Sequence, residues 1–201
     1  MLQLIQKGGP IMWPLLITSV VSLAVVLDRL LFIVFVKIKR QPDAVDSILS
    51  EVESGRIQAA INTGEQSHDF VARTLVYGLK HRETSLGAAL LKAANRELKR
   101  FNRGLSVLDT VITLAPLLGL LSTVTGMIHA FGLLGHKELD SPTVITGGIA
   151  EALIGTAFGL AIAVLALIPF NYMNAQLEEA RHEIEDTSTH LELLLKPQSR
   201  L

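Results

Sequence analysis

Three long apolar segments separated by polar stretches dominate the pattern of this chain. Residues 8–27 and 110–136 contain no Asp, Glu, Lys or Arg, and a third apolar run extends from Gly147 to about Tyr172. Twenty residues of α-helix rise about 30 Å, which is enough to cross the hydrocarbon core of a bilayer. The pattern therefore predicts three transmembrane helices.

The polar stretches predict helices of their own. The spacing indicates helices over Pro42–Glu53, closed by Gly55, over Ile57–Asn62 and over Phe70–Leu79. A longer helix is expected to begin at Thr84, as its N-cap, and to continue without a break into the second span. After the third span, apolar residues at three-four spacing predict an amphipathic helix that packs against partner helices. Its apolar positions are Leu177, Ala180, Ile184, Thr187, Leu191 and Leu194.

Composition and charge predict that the chain is a membrane protein and how it is oriented in the membrane. With 49% apolar residues and a mean hydropathy of +0.43, the chain is too apolar for an ordinary soluble domain. Twelve of the eighteen Lys and Arg residues lie between Lys37 and Arg103. The positive-inside rule places this stretch in the cytoplasm and the N-terminus outside. The short link from His136 to Pro142 then makes the second and third spans an antiparallel hairpin with its tip outside.

The expected fold is an all-α membrane protein with long cytoplasmic helical extensions. Four regions are predicted: an N-terminal interfacial segment with the first span (1–36), a cytoplasmic helical region (37–106), the hairpin of the second and third spans (107–175) and a C-terminal cytoplasmic helix (176–201). The first span is followed by Asp28–Arg29 and a further apolar run over residues 30–36. This pair suits the inner membrane boundary and also the interior of a longer tilted helix, and both interpretations stay open.

Small residues recur at helical spacing in the second and third spans. One stripe consists of Ala115, Gly119, Ser122, Gly126 and Ala130, and the other of Gly148, Ala152, Gly155, Gly159, Ala163 and Ala166. Stripes of this kind allow two helix backbones to approach closely. We therefore expect Gly119, Gly126, Gly155 and Gly159 to be helix-packing positions.

Glu151 is an ionisable side chain within the third span. A carboxyl group inside hydrocarbon is costly and normally faces a bundle interior or a water-filled path. Counting from the inner polar flanks places Thr123 and Thr156 at similar depth, with Glu151 about 7.5 Å further out. We predict that these three residues line an ion pathway. The alternatives are a carboxyl group that reaches the outer surface and hydroxyls that bond only to helix backbone.

Motifs of enzyme chemistry are absent from the sequence. There is no His-x-x-x-His pair, no Gly-x-Ser-x-Gly elbow and no cysteine for a thiolate metal site. The basic residues Arg96, Lys99, Arg100 and Arg103 flank a membrane span, where anionic lipid headgroups explain them better than nucleic acid does. We expect no enzyme activity, no metal, no cofactor and no nucleic-acid partner.

Residues 8–16 with Asp28–Arg29, residues 115–127 and residues 148–157 together resemble the three spans of a known group of membrane proteins. The chain resembles the MotA/TolQ/ExbB proton channel family, and most closely its ExbB/TolQ branch. It departs from the family pattern at Ser122, where Gly is usual, at Thr125, where Trp is common, and at Gly155, where Ala is usual. These substitutions leave the choice between proton and sodium open.

The resemblance implies a homopentamer in the bacterial inner membrane around two copies of an ExbD/TolR-type single-span partner with an intramembrane Asp. Such complexes convert proton motive force into mechanical work for outer-membrane transport or envelope maintenance, through a TonB/TolA-type energy transducer. The resemblance also assigns the pore lining to Glu151, Thr123 and Thr156. A flagellar MotA-like stator, which usually has four spans, and a passive membrane scaffold are the alternative functions.

Overall fold

The computed structural model describes residues 9–134 and 142–196 of the chain, and within these ranges it contains seven α-helices and no strand. The helices are α1 Met12–Ile38, α2 Pro42–Glu53, α3 Ile57–Gln66, α4 Phe70–Lys80, α5 Arg82–Asn102, α6 Leu105–Leu134 and α7 Pro142–Leu195. The predicted all-α class is therefore confirmed. The predicted helices over residues 57–62 and 70–79 are each extended at their C-terminal ends.

Three segments are long and apolar enough to cross a membrane: Met12–Ile38, Arg82–Gly132 and Thr146–Leu195. Each of them overlaps one of the three predicted spans over most of the length of that span, so the predicted number of candidate spans is confirmed. Large apolar side chains on all three segments are exposed in the single chain, for example Trp13 at 64%, Ile128 at 67% and Leu165 at 71%. Lipid or other protein chains must cover such a surface, because exposed apolar area of this extent is unfavourable in water.

The described residues fall into two compact units. The first comprises the chain up to Arg29 together with Gly104–Tyr172, and the second comprises Leu30–Arg103 and the chain from Met173 onward. In the first unit, the beginning of α1 packs against α6 and α7. Its buried apolar cluster consists of Met12, Leu15, Val111, Ala115, Ile162 and Ala166.

The core of the second unit is built mainly from α2–α5 and the C-terminal part of α7. The predicted amphipathic stripe on α7 contributes Ala180, Ile184 and Leu191 to this core, with exposed fractions of 4%, 1% and 0%. The stripe was expected to pack against partner helices. It packs instead against helices of its own chain, because α2–α5 present a complementary apolar surface.

Two details of the predicted long helix are wrong. Ser85 rather than Thr84 has the non-helical conformation (φ −169°, ψ 101°), and its Oγ accepts a hydrogen bond from Ala88 N at 3.4 Å. The helix is also interrupted before the membrane span. Arg103 is extended and Gly104 has φ +84°, a conformation that favours glycine, so that α5 ends at Asn102 and α6 begins at Leu105.

Asp28 and Arg29 lie inside α1, which continues to Ile38. Arg29 Nε donates a hydrogen bond of 2.9 Å to Asp28 Oδ2, so the two charges are paired as well as enclosed in a longer helix. The Arg29 side chain is buried, and its aliphatic part lies near Gly104, where an added Cβ would be 3.4 Å from Arg29 Cδ. The pair therefore lies inside a longer helix, as one of the two interpretations requires, and its two charges neutralise each other there.

A buried carboxylate links several elements of the second unit. Asp69 caps α4 by accepting a hydrogen bond from Val71 N at 2.8 Å. Its two carboxylate oxygens also accept hydrogen bonds of 2.8 and 2.7 Å from Arg40 Nη1, and one of them accepts from Gln41 N at 2.8 Å. Arg40 donates in addition to Glu183 of α7. The segment after α1, the start of α4 and α7 are thus held together.

We expect Asp69→Ala to lower the free energy of unfolding by about 3 kcal/mol, because it removes a helix cap and leaves the Arg40 charge without its buried partner. Glu65→Ala is the matched control. The Glu65–Lys80 ion pair is about half exposed, and such pairs contribute at most about 1 kcal/mol. Thermal unfolding in detergent, combined with hydrogen exchange of the α4 amides, measures both variants. Equal losses of stability in the two variants would contradict this account.

Candidate ion pathway

The small-residue stripes of α6 and α7 face each other. A Cβ added to Gly126 would lie 3.0 Å from Ala152 Cβ and 3.1 Å from Gly148 O. A Cβ added to Gly119 would lie 3.0 Å from Thr156 Cα. These values are shorter than ordinary van der Waals contacts, so the two backbones touch where glycine is present.

The closest approach between α6 and α7 occurs at Gly155 and Gly159, the other two predicted packing glycines. A Cβ on Gly155 would overlap the Ser122 side chain, and a Cβ on Gly159 would overlap the backbone oxygen of Ala115. Gly159 thus meets the beginning of the α6 stripe, whereas Gly148 meets its end at Ala130. The two helices therefore run in opposite directions along this seam. The tip of the predicted hairpin, from His136 to residue 141, lies outside the described residues.

Thr156 joins the two helices across the seam. Its Oγ1 donates a hydrogen bond of 2.8 Å to the Gly119 carbonyl of α6, and Ala152 O in its own helix lies 3.4 Å away. The side chain is half-buried. The predicted backbone bonding of this hydroxyl is present, but its main acceptor belongs to the neighbouring helix.

Thr123 has a different environment. Its Oγ1 donates to Leu120 O at 2.6 Å within the same helix, and the residue borders an open groove formed with Val124, Met127 and Phe131. Its acceptor Leu120 directly follows Gly119, whose carbonyl accepts from Thr156, so the two acceptors are only about 1.5 Å apart along the helix axis. The two hydroxyls therefore lie at similar levels, in agreement with the depth counted from the helix ends.

The Glu151 carboxyl group lies against Gly9, near the beginning of α1. A Cβ on Gly9 would overlap Glu151 Oε1, and Gly9 has φ +71°, a conformation that suits glycine. Glu151 is half-buried, whereas its neighbour Ala152 is 2% exposed in the seam. The carboxyl group is thus enclosed on one side by the start of the first span, and it projects beside the seam rather than into it.

The three predicted pathway residues have separate neighbours in this single chain. Thr156 contacts Gly119, Thr123 contacts Leu120, and Glu151 contacts Gly9. Gly9 was not predicted as a neighbour of Glu151, although the Gly8-Gly9-Pro10 stretch at the start of the first span is a signal for an unusual backbone. Thr125, one of the positions that depart from the family pattern, donates to Leu121 O at 2.9 Å and to Ser122 O at 3.2 Å.

Comparison with known proteins agrees with this architecture. The model of the MotA/TolQ/ExbB proton channel family matches residues 62–186, which is more than half of the chain. An ExbB-like protein of Synechocystis sp., whose description refers to biopolymer transport, is 33% identical over 197 residues, covering 94% of this chain and 77% of that protein.

Two further relatives come from the named branches of the family. Biopolymer transport protein ExbB of Neisseria gonorrhoeae is 29% identical over 131 residues, covering 65% of this chain and 57% of its own length. Tol-Pal system protein TolQ of Haemophilus influenzae is 36% identical over 89 residues, covering 44% and 39%. The chain is a membrane protein that belongs to the MotA/TolQ/ExbB proton channel family, in its ExbB/TolQ branch.

Proposed function

We propose that this chain is the channel subunit of an inner-membrane motor that converts proton motive force into mechanical work for outer-membrane transport or envelope maintenance. It acts as a homopentamer around two copies of an ExbD/TolR-type partner with an intramembrane Asp, and a TonB/TolA-type transducer receives the work. The N-terminus is periplasmic and the C-terminus cytoplasmic. Membership of the ExbB/TolQ branch supports this proposal.

The half-buried carboxyl group of Glu151 is the observation that carries the proposal. It is the one acidic residue between residues 141 and 177 of the sequence, and it lies beside the close-packed α6–α7 seam. An ionisable group at such a place usually serves an ion path. Carboxyl groups exchange protons readily, so that Glu151 is suited to pass protons to or from the Asp of the partner.

The hydrogen bonding of the Thr123 and Thr156 hydroxyls supports a pore that several chains form together. Conduction requires polar groups or water at every level of a pore. The hydroxyls of Thr123 and Thr156 donate their protons to backbone carbonyls, yet each hydroxyl oxygen keeps lone pairs that can accept hydrogen bonds from water. One chain offers one such hydroxyl on each helix of the hairpin, and several copies around a partner helix would surround a common path.

Proton flux in lipid vesicles tests this function. Vesicles that contain the chain with its co-expressed partner should acidify or alkalise in response to an imposed pH gradient and membrane potential. Vesicles with the chain alone, or with a partner whose intramembrane Asp is replaced by Asn, serve as controls. Absence of flux from the partner-containing complex, although the complex is assembled, would favour a passive scaffold and refute the channel proposal.

Replacement of both pathway hydroxyls tests the polar track. The double variant Thr123→Val/Thr156→Val keeps side-chain shape and is expected to lose flux by at least about tenfold, because the path becomes apolar where both hydroxyls are lost. The loss of the hydrogen bond between Thr156 and Gly119 should lower stability by only about 1 kcal/mol. The double Ser variant should restore flux because it restores both hydroxyls. Equal flux from the Val and Ser variants would reduce these residues to a packing role.

A further inference from the structure

A basic cavity lies in the second unit, away in sequence from every residue of the proposed ion path. It has a volume of about 570 Å³ and is lined by α4 and α5 together with the end of α3. Its cationic side chains are Arg73, Lys80, Lys92, Arg96 and Arg100. A volume of this size is typical of sites for small molecules.

Two carboxylates neutralise only part of this charge. Glu97 Oε2 accepts hydrogen bonds from Arg73 Nη2 at 2.8 Å and from Arg100 Nη1 at 2.9 Å, and Glu65 pairs with Lys80. Five cations against two carboxylates leave an excess of three positive charges in the cavity lining. In the part of the chain that the structure describes, no ion pair to Lys92 or Arg96 is present.

The excess charge is concentrated on one face of α5. Lys92, Arg96 and Arg100 follow one another at intervals of four residues, so that like charges stand one turn apart and repel each other. An anion in the cavity would convert this repulsion into attraction. Beside these cations the cavity lining is largely apolar and includes Val76, Tyr77 and Ala93, so an occupant needs an apolar part as well as negative charge.

We propose that this cavity binds a phosphate-bearing small molecule with at least two negative charges and an apolar or aromatic part. Arginine guanidinium groups match phosphate oxygens in pairs, and Lys92 adds a point charge to those of Arg96 and Arg100. Tyr77 and Val76 would contact the apolar part. Either a soluble nucleotide or the headgroup of an anionic lipid supplies this chemistry, and the experiment distinguishes the two.

Titration calorimetry on the full-length assembly in nanodiscs of zwitterionic lipid tests the soluble source, with ATP and inorganic pyrophosphate in magnesium-free buffer as probes. ATP is expected to bind saturably and more tightly than pyrophosphate, because only ATP reaches the apolar lining. In Lys92→Gln/Arg96→Gln the Kd should rise by at least about tenfold, since charge-assisted hydrogen bonds are lost. Lys99→Gln is the matched control on α5, because Lys99 borders a different groove, and its Kd should change less than about twofold.

The lipid source is tested by native mass spectrometry of the same proteins, purified from membranes with and without phosphatidylglycerol. Retention of the anionic lipid by the wild type and the Lys99→Gln variant, but not by the double variant, would assign the site to a headgroup. Lys92 and Arg96 are exposed, so the double variant should fold, as circular dichroism checks. Binding of neither probe, or equal binding by the wild type and the double variant, would overturn the proposal.

Discussion

Glu151→Gln is expected to abolish proton flux, by at least about a hundredfold, while the assembled complex remains intact. The amide has nearly the volume of the carboxyl group, and it fits the same space against Gly9. It neither gives up a proton nor carries a negative charge at ordinary pH, so a step that passes a proton through this side chain would stop. The variant therefore separates chemistry from packing.

The measurement is flux in partner-containing vesicles, together with an energy-dependent uptake or envelope-integrity assay in cells. Glu185→Gln is a matched control: Glu185 lies on the same helix, but it is exposed in the second unit and borders a groove beside α5. The control should retain full flux. Normal flux from Glu151→Gln would exclude proton transfer by this residue and leave the carboxyl group a structural role beside α1.

The large features of the fold follow from local sequence properties. Span length and the absence of charge over residues 110–136 are sufficient to predict a membrane helix, because the bilayer core imposes both. The small-residue stripes of the second and third spans were also predictable from the sequence, because only small residues permit backbone contact and their spacing is that of a helix. Gly126 and Gly155 indeed lie where a Cβ has no room.

The errors arise where neighbouring residues have similar local preferences or where tertiary contacts decide. Thr84 and Ser85 are both good N-caps, and nothing in the local spacing distinguishes them. Gly104 is tolerated inside helices, so the break between α5 and α6 was not apparent from the apolar period. The partner of the α7 stripe could not be chosen, because an apolar face fits helices of the same chain as well as those of another.

The candidate site was predictable in its residue types but not in its contacts. Glu151 stood out because an acidic group in hydrocarbon is rare. Its neighbour Gly9 is more than a hundred residues away in the chain, and only the packing of α1 brings the two together.

Gly159→Leu is expected to disrupt the α6–α7 hairpin and with it the energised function. The first atom of the new side chain already overlaps the backbone oxygen of Ala115 and lies 3.1 Å from Gly119 Cα. Backbone atoms cannot rotate aside as a side chain can, so the two helices must separate along the seam. We expect a loss of more than about 4 kcal/mol, beyond ordinary overpacking, because both helices are displaced.

Gly147→Leu provides the matched control, because Gly147 lies on the same helix and a Cβ there meets nothing within 4 Å. Leucine is a better helix former than glycine, so this variant should be unchanged or more stable by up to about 1 kcal/mol. The two substitutions add the same volume, and they are compared by titration with SDS, with the helicity of the protein as the measure of unfolding. If both variants unfold at the same SDS fraction as the wild type, the α6–α7 seam does not support the hairpin. If both are destabilised equally, the damage comes from added bulk in general and not from backbone contact at Gly159.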